Sequence, residues 1–115
     1  MKITLPLPPS INSYYATNRQ GKRYKSKEAV DWENEAGYTL MEQNKFKKVF
    51  GKQEVVATYH FYFPTYRSDY GNRAKILDDL FEKTGIIDND NQIMEAHIYK
   101  HIDKNTRVEV EMTSV

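Results

Sequence analysis

The sequence contains no cysteine. A disulfide framework and a thiolate zinc site are thereby excluded. No apolar run approaches the ~18 residues that a membrane span needs, so no segment is expected to cross a bilayer. The opening MKITLPLPPS lacks the apolar stretch of a secretory signal, and no leader is expected. Glycine is scarce, with 5 residues, and none forms a Gly-rich phosphate loop. No Ser-His-Asp order is visible. His60, His97 and His101 fall in strand-like segments, and His97 and His101 could share a strand face, but further zinc ligands are lacking.

What is present is a chain of 115 residues, a length that implies one domain. A domain of this size has little room for a long cleft between two lobes, so a large binding surface would come from a dimer. Apolar residues at 39% and charged ones at 29% mark a folded rather than a disordered chain. The net charge of +1 says nothing by itself; its distribution does. The stretch 16–27 holds Arg19, Lys22, Arg23, Lys25 and Lys27 and no acid, and Lys45, Lys47, Lys48 and Lys52 make a second basic cluster. In contrast, the stretch 78–95 holds Asp78, Asp79, Glu82, Asp88, Asp90 and Glu95 against Lys83 alone. Cations for phosphates flanking carboxylates for a metal suit a nuclease; solvated faces of a neutral protein would look the same.

Lys2–Leu5 alternates and predicts a strand, stopped by Pro6. Residues 12–25 have no helical period and read as a long basic loop, with room for a small hairpin at Gln20-Gly21. Ser26 suits the N-cap of a helix reaching about Asn44, whose stripe is Ala29, Trp32, Ala36 and Leu40. Asp31, Glu33, Glu35 and Glu42 lie mostly off that stripe. Gln53–Phe63 is β-branched and aromatic and predicts a strand. Residues 65–71 form a loop, and Asn72–Lys83 a second helix burying Ile76, Leu77, Leu80 and Phe81, with Gly85 at its C′ position. After a turn at Asn89–Asn91, Gln92–Ile102 and Thr106–Met112 predict two strands joined as a hairpin through Asp103–Asn105. The expected fold is α+β: a single small domain with a mixed or antiparallel sheet of about four strands and two helices on one face.

Asn72, Lys75 and Asp79 are spaced to share one helix face, with Asp69 in the loop before that helix and Asp90 in the turn after it. Phosphodiester hydrolysis needs an activated water, a stabilised pentavalent phosphorus and a stabilised leaving oxygen. Mg²⁺ held by Asp oxygens supplies all three, Lys adds a point charge, and Asn donates to a phosphate oxygen. Each residue also has a plain role: Asp69 as a helix cap, Lys75 and Asp79 as a solvated ion pair, residues 88–91 as a turn.

The stretch 5–12, LPLPPSIN, followed by Tyr14-Tyr15, resembles the Pro-Pro-Ser-x-Asn opening of the RusA-type Holliday junction resolvases. Asp69 to Lys75 resembles that family's Asp-x-Asp-Asn-x-x-Lys motif, and residues 85–93 its Gly-x-x-x-Asp-Asp-x-Gln-Val turn. The likeness runs along about the whole chain in constant order. It implies a homodimer that binds four-way DNA junctions and nicks opposing strands with Mg²⁺, for which Mn²⁺ can substitute. It assigns Asp69 and Asp90 as metal ligands, Asn72 to phosphate or ligand positioning and Lys75 as a catalytic lysine. Arg19, Lys22, Arg23, Lys25, Arg67 and Arg73 become DNA contacts. It also implies work in a bacterial cytoplasm, with phage or prophage origin. Two positions depart: Asn89 stands before Asp90 where the family often has another acid, and the family's second Asp is Gly71 here, which offers no ligand. Asp88 or Asp79 could take its place, and Gly71→Asp would be expected to restore a carboxylate. The expected activities are therefore an active junction endonuclease or a junction- or partner-binding protein that cuts weakly.

Overall fold

The β-branched and aromatic run after residue 54 forms the centre of the molecule. In the computed structural model, which describes residues 1–44 and 48–115, Val55–Phe63 is strand β4. Its side chains alternate strictly: Val55, Ala57, Tyr59, Phe61 and Phe63 are fully buried, and those between them are half-buried. That period of two orients the sheet, with one face in the core and the other more open.

β4 is flanked on both sides. Ile93–Ile102 (β5) pairs with it in parallel, from Val55 opposite Ile93 to Phe63 opposite Ile102. Arg107–Ser114 (β6) pairs with its other edge antiparallel, and Lys2–Leu5 (β1) lies outside β6. The order β1-β6-β4-β5 is a mixed sheet of four strands. The expected hairpin between the last two strands is corrected here: β5 and β6 are not neighbours, because β4 lies between them. After β5 the Asp103 amide donates to Phe63 O at 2.8 Å, carrying the chain across the end of β4. β6 then descends on the far side, where Val108, Val110 and Met112 are buried. β5, exposed along most of its length, is left at the edge.

Lys27–Gln43 (α2) starts where expected: Ser26 Oγ accepts from the Ala29 amide at 3.1 Å and donates to Ser13 O at 2.6 Å. The predicted stripe Ala29, Trp32, Ala36 and Leu40 is buried. Trp32 Nε1 reaches Pro6 O at 2.8 Å, satisfying its one polar group. Arg73–Lys83 (α3) buries Ile76, Leu77, Leu80 and Phe81 and links the parallel strands β4 and β5. All these residues join one core with the inner face of the sheet.

The basic stretch is more ordered than the sequence suggested. Ile11–Tyr14 is a short helix (α1), and Tyr15–Thr17 (β2) pairs with Arg23–Lys25 (β3). Asn18 Oδ1 closes the turn by accepting from the amides of Gln20 and Lys22 at 3.0 and 2.8 Å. Gly21, at φ +78°, takes the left-handed conformation there. Lys45 and Lys47 of the second basic cluster lie outside the described residues. Among the described residues, no helix is long and apolar enough to cross a membrane.

Candidate active site

Two structures fix the acidic centre: helix α3 and the turn behind it. α3 carries Lys75, Asp78, Asp79 and Glu82. The turn at Asp90–Gln92 is held by Gln92, a buried side chain whose amide is fully used. Its Oε1 accepts from the Asp88 and Asn89 amides at 2.8 and 2.7 Å, and its Nε2 donates to Gly51 O and Gln53 O at 2.7 and 2.8 Å. Asn89 completes a capping box with it. The backbone leading into Asp90 is thereby tied to the segment before β4.

Asp90 faces α3. Carboxylate oxygens of Asp79, Glu82 and Asp90 lie within 4.8 Å of one another. Lys75 Nζ stands 3.7 Å from Asp90 and 3.8 Å from Asp79. Beneath them Asp78 accepts from the Tyr59 hydroxyl at 2.6 Å. Burial raises the Asp78 carboxyl above its ordinary range; Tyr59 opposes the rise, and Asp90 and Asp79 add to it. Burial likewise raises Tyr59, with Asp78 as the further cause, so it remains a donor. Mg²⁺ takes oxygens at ~2.0–2.1 Å in an octahedron, so neighbouring ligands are ~3 Å and opposite ones ~4.2 Å apart. The three carboxylates, within 4.8 Å of one another, stand near that spacing, and the donor set is the hard-oxygen type such an ion takes.

The other sequence candidates lie elsewhere. Asp69 is not in this group. It is exposed and lines a separate depression with Asn12, Arg67 and Asn72. Asp88 is 3.9 Å from Lys48 and outside the group as well. Arg73 is turned inward: it donates to Pro8 O at 2.8 Å and to Asp69 O, and sits 5.0 Å from the centre of the Phe63 ring. These contacts anchor the 65–72 loop. Lys25 is paired with Glu33 at 2.7 Å. Arg23 lies over the Tyr15 ring at 3.8 Å. Among the described residues, Arg19, Lys22 and Arg67 make no ion pair. The histidine pair that forms is His60 with His101, 2.8 Å apart across β4 and β5, while His97 meets Glu95 at 3.3 Å. Asp78 and Glu82 carried no local signal beyond the acidic bias of their segment, and Tyr59 none beyond its place in a strand, because their convergence depends on how α3 crosses the sheet.

Gly71 has a backbone reason to be glycine. Its φ is +32°, and a Cβ built there would lie 2.9 Å from Asp69 Oδ1. An Asp at this position would take a left-handed conformation, and the exposed Asp69 carboxylate would turn aside for it. Gly71→Asp is therefore expected to lower stability by about 1 kcal/mol and to leave metal-dependent DNA cutting no faster. Thermal unfolding and a cutting assay on the two chains check this. A large rise in rate would mean that the loop rearranges and that residue 71 is a ligand after all.

Residues 6–113 match the family model described as "Endodeoxyribonuclease RusA". A curated relative, the crossover junction endodeoxyribonuclease RusA of Aquifex aeolicus (strain VF5), is 36% identical over 101 residues, covering 87% of this chain and 77% of its own. The match runs from the Pro-rich opening through the basic hairpin, α3 and the Asp90 turn into β6, so the chain belongs to the RusA endodeoxyribonuclease family.

Proposed function

We propose that this chain is a Mg²⁺-dependent endonuclease that binds four-way DNA junctions as a homodimer and nicks them. The observation that carries the reading is Lys75 standing within 3.8 Å of both Asp79 and Asp90, with Glu82 beside them. Carboxylates that converge on a cation-sized space next to an ammonium are what phosphodiester hydrolysis requires.

Asp79, Glu82 and Asp90 would hold the ion, with Asp79 in the role left open by Gly71. Asp69 is a further carboxylate from the loop entering the same helix. The ion, when bound, supplies Lewis-acid polarisation of the phosphate and a more acidic water. Lys75 stabilises charge on the equatorial oxygens, and its side chain, 67% exposed, can reach them. Asn72 donates its amide to a phosphate oxygen without adding charge. Tyr59 fixes the Asp78 carboxyl under the group, so that the first turns of α3 keep their aim. Arg19, Lys22, Arg23, Lys25 and Arg67 are the phosphate contacts, while Arg73 serves the loop. Mn²⁺, which prefers similar oxygen ligands, substitutes for Mg²⁺. β5 supports a dimer: it is a ten-residue edge strand that exposes Met94, Tyr99 and Ile102, an edge that proteins ordinarily cover. Branched DNA as substrate agrees with work in a bacterial cytoplasm.

A synthetic four-way junction and a linear duplex of the same sequence, incubated with the chain and Mg²⁺ or Mn²⁺, test the reading. Paired nicks in the junction and an intact duplex are expected, with light scattering giving the mass of two chains. An uncut junction, or a duplex cut as fast, would defeat the assignment. Junction cutting by a chain that scatters as a monomer would remove the dimer.

A further inference from the structure

Three donors from three separate elements meet on one carboxylate beside the acidic centre. Glu33, on α2, accepts from the Tyr14 hydroxyl of α1, from Lys25 Nζ of the basic hairpin at 2.7 Å and from Lys83 Nζ of α3 at 3.1 Å. Burial alone would raise the Glu33 carboxyl; Lys25, Tyr14 and Lys83 outweigh it and hold it below the ordinary carboxylate range. The arrangement is layered. The Glu33 side chain is only 13% exposed, whereas Lys25 and Lys83 are 39% and 63% exposed. An approaching anion meets the ammonium groups, not the carboxylate beneath them.

The two lysines line a small depression whose wall includes Asp79. Each ammonium has three N–H donors, of which one is used on Glu33. The rest are available beside a candidate metal ligand. Lys25 and Lys83 against Glu33 leave a surplus of one, because Asp79 in the same wall is paired with Lys75 at 3.8 Å; that surplus suits a phosphodiester.

We propose that Lys25 and Lys83, held side by side by Glu33, form a subsite for the DNA phosphate adjacent to the one that is cut, with Glu33 as its positioning residue. This rests on the proposed endonuclease function and adds to it a residue, Lys83, and a device, the shared carboxylate. A purely structural cluster would tie α1, the hairpin, α2 and α3 together but would not contribute to the salt dependence of DNA binding.

The test is junction binding without metal, followed by fluorescence anisotropy across a salt series. Lys83→Met should make the plot of log affinity against log salt shallower by about 0.9, the loss of one phosphate contact. Lys83→Arg should keep the wild-type slope. Lys104→Met is the control: β5 has ten residues, so its far end lies about 30 Å from the Asp90 turn, and the slope should not change. Glu33→Gln removes a negative charge and should bind DNA no more weakly. With the lysines no longer placed, it should still cut about tenfold more slowly at saturating junction. A wild-type slope in Lys83→Met, or a wild-type saturating rate in Glu33→Gln, overturns the subsite while leaving the endonuclease reading intact. Failure of the unaltered chain to bind the junction would defeat that reading first, and the subsite with it.

Discussion

Gln92→Leu is expected to lower stability by about 3 kcal/mol and the melting temperature by about 12 °C. Leucine fills a similar space but leaves the Asn89 amide and the Gln53 carbonyl without partners, and leaves the Asp88 amide and the Gly51 carbonyl only the 3.2 Å bond between them. A buried group stripped of its hydrogen bond costs more than the bond contributed, and partial access of water to a turn limits the total. The effect reaches the site because those bonds fix the segment that carries Asp90. DNA cutting well below the melting temperature should therefore fall at least about tenfold. Calorimetry and single-turnover cutting on the same sample check both parts. A melting temperature within a degree or two of the unaltered chain would show that the turn is held by something else.

The helices and most strands were legible because each has one apolar face. Ala29, Trp32, Ala36 and Leu40 mark α2 at helical spacing, and residues 55–63 alternate at strand spacing. The same signals do not say which strands are neighbours. β5 and β6 both alternate and are joined by a short connection, which reads as a hairpin. Their separation by β4 follows from the parallel crossover through α3, and no local spacing encodes that.

The site was legible where a motif stood close in sequence. Lys75 and Asp79 share a helix face, and the Asp90 turn ends in Gln92. What was missed depends on distance along the chain. Arg73 read as one more basic residue, yet it donates to Pro8 O, 65 positions away. Glu33 read as one of four acids mostly off the apolar stripe of α2; packing of α1, the hairpin and α3 against α2 makes it a shared acceptor. Gly71 read as a lost ligand, and its positive φ beside Asp69 gives it a reason in the backbone.

Asp90 carries the central claim, because it joins the turn to α3 at the acidic group and touches Lys75. Asp90→Asn keeps the shape of the side chain and removes its charge. Its pair with Lys75, at 3.7 Å and partly exposed, contributes at most about 1 kcal/mol, so the fold should persist. Junction affinity without metal should hold or rise slightly, since one negative charge facing phosphates is gone. Single-turnover cutting of a four-way junction with saturating Mg²⁺ is the direct measurement. The unaltered chain should cut, and Asp90→Asn should cut about a thousandfold more slowly or not at all. An Asp90→Asn chain that cuts as fast as the unaltered one would contradict the account, because the group formed by Asp79, Glu82 and Asp90 would then not be the place where the strand is broken.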